Sequence, residues 1–278
     1  MNLLCLLKNN KVKRILISSE LQDNIKSYIQ DSIDEFIKAD KIEFSGEYKP
    51  DEGEVLLIDN FNNPYSNYTN PLNIELLQEN EIDEIKSIIF FNNEYIAYQC
   101  FDNRKIIKPN KWNLIFNQDT FSKIEHKGLV IDNKIDVLYI INKMELLFLS
   151  YHNASKIFDL SDFYREATDQ EINNFCNNNL FVNSVHLTQD SFNKKLRKKI
   201  FQIQRNNVLQ KVNQNFKQIY NYSKEIGINN FFDVNNNKII FPENGKSLEI
   251  LINFLNDDLY KSPISKLIYE TNSKKLIT

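Results

Sequence analysis

Glycine is scarce in this chain, with five in 278 residues, and no G-x-G-x-x-G or G-x-x-x-x-G-K spacing occurs. Parallel nucleotide-binding sheets use such loops to cradle phosphate, so their absence argues against a Rossmann or P-loop protein. Cysteine is limited to Cys5, Cys100 and Cys176, an odd number without C-x-x-C spacing. That usage fits free thiols in a reducing compartment. The three histidines, His126, His152 and His186, show no ligand spacing with one another or with cysteine. No zinc site and no other cofactor is expected. No apolar run approaches the ~18–20 residues that span a bilayer, and Met1–Leu7 lacks the basic start of a signal peptide. The expectation is a cytoplasmic protein.

Hydrophobic residues make up 42% of the chain, enough for a sizeable core. The net charge of −3 hides a segregation. Residues 20–85 hold 17 Asp/Glu against 4 Lys, whereas residues 191–224 hold 9 Lys/Arg and no acid.

The first half reads as hairpins. Leu3–Leu7 and Val12–Ile17 flank Asn9-Asn10, and Ile88–Phe91 and Glu94–Cys100 flank Asn92-Asn93. Leu129–Asp132, Ile135–Ile141 and Glu145–Ser150 are separated by two Asn-Lys pairs. Asparagine tolerates positive φ and serves tight turns where glycine is rare. An antiparallel meander is therefore expected. Helices are expected over 19–37, where Ser19-Glu20-Leu21-Gln22 has capping-box spacing and Leu21, Ile25, Ile29, Ile33, Phe36 and Ile37 recur at helical period, and over 72–85 and 151–167. Residues 191–226 read as one or two helices broken near Asn206-Asn207. Phe231–Val234 and Lys238–Phe241 form a further hairpin, Lys246–Leu255 a helix and Leu267–Ile277 a terminal strand. The fold class is α+β: a largely antiparallel sheet with packed helices over 1–188, followed by a helix-rich basic region over 189–278.

The basic region carries the sharpest signal. At 100° per residue, Phe192, Leu196, Ile200 and Ile203 fall within an arc of about 80°. Lys194, Lys195, Lys198 and Arg205 lie opposite, with Arg197 and Lys199 at the flanks. A cationic stripe without carboxylates attracts phosphate through counterion release. Lysine outnumbers arginine in it, which suits backbone contact better than base reading. Two other readings compete: a solvated helix face, or docking onto the acidic segment of this chain or of a copy. Arg104, Lys105, Lys108 and Lys111 beside Trp112 could extend a DNA surface, as could Lys8, Lys11, Lys13 and Arg14.

Catalysis finds little support. Cys176 with His152 or His186 has no local context for a thiol nucleophile. Asp83-Glu84-Ile85-Lys86 is the one string close to a metal nuclease pattern. Asp257-Asp258 reads as a solvated helix end.

Two stretches resemble a known family when taken together. One is Tyr48-Lys49-Pro50-Asp51-Glu52-Gly53-Glu54-Val55-Leu56-Leu57-Ile58. The other is Leu255-Asn256-Asp257-Asp258-Leu259-Tyr260-Lys261-Ser262-Pro263-Ile264, followed by Tyr269 and Ser273-Lys274. They resemble the KwaB-like family, the B component of the Kiwa anti-phage defence system. The 127–151 meander and a 157–168 helix fit as well. The resemblance implies a bacterial defence protein that binds phage DNA and blocks replication or transcription. It also implies a homo-oligomer, a small membrane protein as partner, and no catalytic motif. The reading is a non-catalytic DNA-binding effector, with the cations named above as phosphate contacts. A protein-interaction module is the runner-up, and a metal-dependent nuclease is third.

Overall fold

A computed structural model describes residues 2–46, 48–66, 73–108, 114–117, 120–123, 126–182, 187–242, 245–271 and 274–275. The chain divides into two compact units. Unit 1 is Met1–Phe44 with Lys49–Leu160, and unit 2 is Ser45–Tyr48 with Ser161–Thr278.

Unit 1 runs β1 (Asn2–Leu7), β2 (Val12–Arg14), α1 (Ser19–Lys38), β3 (Asp40–Glu43), β4 (Glu54–Ile58), β5 (Ile85–Phe91) and β6 (Tyr95–Cys100). It continues with β7 (Ile106–Ile107), β8 (Leu114–Asn117), β9 (Thr120–Lys123), β10 (Gly128–Leu129), β11 (Val137–Ile140), β12 (Glu145–Phe148) and α2 (Tyr151–Ile157). Eight strands form one sheet in the order β2-β1-β5-β6-β11-β12-β4-β3. Every pairing in it is antiparallel except β3 with β4. The Asn9-Asn10 turn acts as expected, with Asn10 at φ 64° between β1 and β2, whereas at the β11–β12 turn the positive φ falls on Met144 at 55° rather than on Asn142.

The central strands are buried on both faces. Leu3, Cys5, Ile88, Phe90, Ala97, Leu138 and Leu147 share a core with Ile29, Ile33 and Phe36 of α1. The expected α1 stripe is buried at Ile29, Ile33 and Phe36, whereas Leu21 and Ile37 at its ends are exposed. The Ser18 side chain caps the helix by accepting from the Leu21 amide, one residue earlier than the capping-box spacing implied. Among the alternating residues, Tyr98 packs edge-on against Phe158 at 5.0 Å, and Phe158 against Phe61 at 5.2 Å.

Three local expectations are corrected here. Residues 73–85 are not an α-helix. The Arg14 amide bonds the Glu75 carbonyl and the Leu77 amide bonds the Arg14 carbonyl, so the chain first lies extended beside β2. Only Glu79–Glu84 then coils, as a 3-10 turn. Helix α2 ends at Ile157, because Phe158 turns extended and places its ring among Phe61, Tyr65 and Tyr98. Leu129 leaves the meander and pairs with Ile106.

Unit 2 runs α3 (Asp169–Cys176), β13 (Phe181–Val182), α4 (Lys194–Arg205), α5 (Val208–Gln214), α6 (Phe216–Glu225), β14 (Phe232–Asp233), β15 (Lys238–Ile240), α7 (Gly245–Leu255), β16 (Leu259–Lys261) and β17 (Ile268–Glu270). The break at Asn206-Asn207 is present, with Asn207 at φ 53°. A second interruption at Asn215 makes three helices of the basic region. β14 and β15 form the expected hairpin, and β13 joins β15 in parallel. The core gathers Phe175, Phe181, Phe241, Leu196, Ile200, Ile203, Leu251 and Ile252.

Candidate nucleic-acid interface

Helix α4 begins where Asn193 accepts a hydrogen bond from the Leu196 amide at 3.0 Å. Its first two residues are Lys194 and Lys195, and its first turn holds no acid. Cations at this end oppose the helix dipole, so local stability does not explain them. The apolar face is as expected: Phe192, Leu196, Ile200 and Ile203 are buried. The helix is enclosed further than one face, since Lys199, Phe201 and Gln202 are buried too. Gln202 donates to the Ser45 carbonyl at 2.6 Å. Gly46 beside it has φ +99° and no room for a Cβ, which would meet Gln202 Nε2 at 2.0 Å.

The nine cations of 191–224 divide by environment, three ways, among the described residues. Lys195, Arg197 and Lys199 are paired with carboxylates. Lys195 Nζ lies 3.0 Å from Glu249 and 3.2 Å from Glu270. Hydrogen bonding to Glu249, with Glu270 adding to it, holds its pKa above the ordinary lysine value. Arg197 meets Asp169 at 2.8 Å and donates to the carbonyls of Phe192, Ala167 and Gln189. Lys199 is 0% exposed, with Nζ 2.7 Å from Asp258 Oδ2 and 2.7 Å from Asn253 Oδ1. Asp258 is equally buried and also takes Lys274 at 2.8 Å and the Asn256 amide.

Lys199 is therefore removed from the proposed phosphate contacts, because it lies inside the fold and its charge is met there. Asp258 is corrected likewise: it is the anchor of a buried ion cluster, not a solvated helix end. Lys195 and Arg197 keep some exposure, but their charge is already committed.

The second group lies over aromatic faces. Lys198 Nζ sits 5.1 Å from the Tyr164 ring centre, the Arg205 guanidinium 5.2 Å from Phe163, and Lys224 Nζ 4.3 Å from Tyr220. The third group, Lys194, Lys211 and Lys217, is exposed and forms no ion pair among the described residues. Lys211 lies in the electrostatic neighbourhood of Asp257. Lys211, Lys217 and Lys224 were not singled out from sequence, although they lie in the same acid-free run.

The second basic group is paired within unit 1. Arg104 binds Asp102 at 2.6 Å and holds that carboxyl down at about 2. Lys105 meets Asp132 at 2.7 Å, and Lys108 meets Asp83 at 2.5 Å. Lys111 and Trp112 lie outside the described residues. Lys13 is buried against Glu75 and Glu81 at 2.8 and 3.0 Å.

The thiols are poorly suited to nucleophilic work. Burial pushes Cys5 and Cys100 up to about 12 and Cys176 up to about 11. No group of three or more His, Cys, Asp or Glu that could hold a metal occurs among the described residues. No helix among them is long and apolar enough to cross a membrane.

Residues 82–265 match the model of the family described as Kiwa protein KwaB-like. The chain belongs to that family. It is thereby a component of the Kiwa anti-phage defence system. No curated protein and no solved structure matches it. The KwaB-like match takes in β5 through β16, including α4 and the Lys199–Asp258 pair.

Proposed function

We propose that this KwaB-like chain is a DNA-binding effector that acts without catalysis, by occupying phage DNA and obstructing replication or transcription. One observation carries the reading. After internal pairing is assigned, the acid-free stretch still presents Lys194, Lys211 and Lys217 to solvent, with Lys198, Arg205 and Lys224 on aromatic supports. Such cations supply sequence-independent backbone contact. Lys194 at the N-terminus of α4 fits this role, since it carries a local electrostatic cost that a bound phosphate would offset.

The test is a fluorescence anisotropy titration of duplex DNA across salt concentrations. The double variant Lys194→Glu, Lys198→Glu is expected to lose most affinity and to show a flatter dependence on salt. Plasmid incubated with the wild-type chain and Mg²⁺ or Mn²⁺ stays intact. An unchanged salt slope in the variant, or plasmid cleavage, overturns the proposal.

A second reading concerns protein partners: self-association, and docking on a membrane protein of the Kiwa A type. Membership of a multi-component defence system supports it. Light scattering at low and high salt, with and without DNA, separates the two. A dimer that dissociates in salt and ignores DNA favours the interaction module.

A further inference from the structure

Among the described residues, the strands β16 and β17 pair only with each other, with Leu259 opposite Glu270, Tyr260 opposite Tyr269 and Lys261 opposite Ile268. Two-stranded hairpins are marginal alone in water. This one is held at its base by charge: Asp258 sits against Lys199 and Lys274, and Glu270 against Lys195. Beyond that base the hairpin leaves apolar side chains uncovered. Ile264 is 93% exposed, Leu267 61% and Ile268 51%. Residues 259–269 contain Lys261 and Lys266 and no carboxylate.

The amides of the tip are satisfied within it. Ser262 Oγ accepts from the amides of Ile264 and Ser265 at 3.3 and 3.2 Å. The Ser262 amide bonds the Leu267 carbonyl, the Lys266 amide the Ser262 carbonyl, and the Leu267 amide Ser265 Oγ. Those amides would not be left bare on leaving water. The exposed side chains of the hairpin end are of three kinds. Ile264 and Lys266 stand in the turn, Leu267 follows opposite Ser262, Ile268 lies opposite Lys261, and the stacked Tyr260 and Tyr269 rings come next at 5.5 Å. Exposed aliphatic residues interleaved with cations at the tip, with tyrosines behind them, match the mixed apolar, phosphate and headgroup character of a bilayer surface.

We propose that the β16–β17 hairpin is a membrane-surface contact that inserts Ile264 and Leu267 at the headgroup boundary and sets Lys261 and Lys266 on anionic lipid phosphates. The charge of the tip decides for an anionic bilayer over a neutral one, and its uncovered aliphatic residues decide for a surface with an apolar layer. The contact needs no membrane protein and does not rest on the DNA reading.

Co-flotation of the full chain with vesicles tests it. Binding is expected to phosphatidylglycerol-containing vesicles, with at least about tenfold weaker binding to pure phosphatidylcholine. Lys261→Glu with Lys266→Glu should abolish that preference. Ile264→Ser with Leu267→Ser should reduce binding to both compositions. These two residues are solvent-exposed, so the melting temperature and the DNA affinity of the serine variant should stay at wild-type values. Absence of vesicle binding by the wild type overturns the proposal. So does binding that survives both pairs of substitutions. A change in sedimentation of the serine variant, without a change in vesicle binding, assigns the hairpin to a protein interface instead and equally overturns it.

Discussion

A lysine ammonium taken wholly out of water must be met by charge and hydrogen bonds, and Lys199 is met by Asp258 and Asn253. Losing one partner leaves the other charged and buried. Lys199→Met should therefore destabilise the protein by about 3 kcal/mol in a urea or guanidinium titration. Lys274 still reaches Asp258, which keeps the loss from being larger. Asp258→Asn should cost a similar amount, and the double variant should cost less than the two losses added. Additive losses would mean that the two groups do not act as a pair. The helical wheel held part of this signal. Lys199 is four residues before Ile203, about 40° away on the wheel, at the border of the apolar arc. What could not be read was the carboxylate that meets it, because Asp258 is remote in sequence and follows an ordinary helix end.

At the scale of elements, sequence was most informative where a turn needed positive φ and asparagine supplied it. Asn10, Asn207 and Asn237 all sit in that region, and each marks a hairpin or helix break that was expected. It was least informative where an apolar-periodic stretch had a better offer elsewhere. Residues 73–85 are drawn out beside β2, and 158 onward is held by aromatic packing. The start of α3 makes a testable element. Thr168 and Glu171 form a reciprocal capping box, and Arg165 grips Glu171 through both nitrogens at 2.6 and 2.7 Å. The Arg165 guanidinium, with the Thr168 amide and hydroxyl, holds the Glu171 carboxyl down at about 2. The folded value lies below the unfolded one, so this contribution is complete above about pH 4.5 and is lost as pH falls toward 2. Glu171 is partly exposed, which limits its worth to about 1–2 kcal/mol. Glu171→Gln should lower stability by that amount at pH 7 and by much less near pH 2, as read from thermal melts across pH. An equal loss at both pH values would remove the assignment.

Across the whole molecule, the charge segregation resolves into local bookkeeping. In unit 1 the 3-10 turn acids meet Lys8, Lys13, Lys108 and Lys127. In unit 2 the basic run meets Asp169, Glu249, Asp258 and Glu270. Counting charges along the chain exposed the cationic run, but not that a third of its cations are carboxylate-paired, since their partners lie as far as 75 residues away. The two classes should behave differently toward DNA. Only cations whose charge is uncommitted can release counterions on meeting phosphate. Replacing Lys194, Lys211 and Lys217 together by Gln should flatten the log–log slope of affinity against salt by up to about 2.7, at about 0.9 per lost contact. Lys195→Gln alone should leave that slope nearly unchanged, because Glu249 and Glu270 already occupy the ammonium. If the single Lys195 substitution flattens the slope as much as the triple one, the ion pairs open on binding. The interface would then be the whole basic helix rather than its free cations.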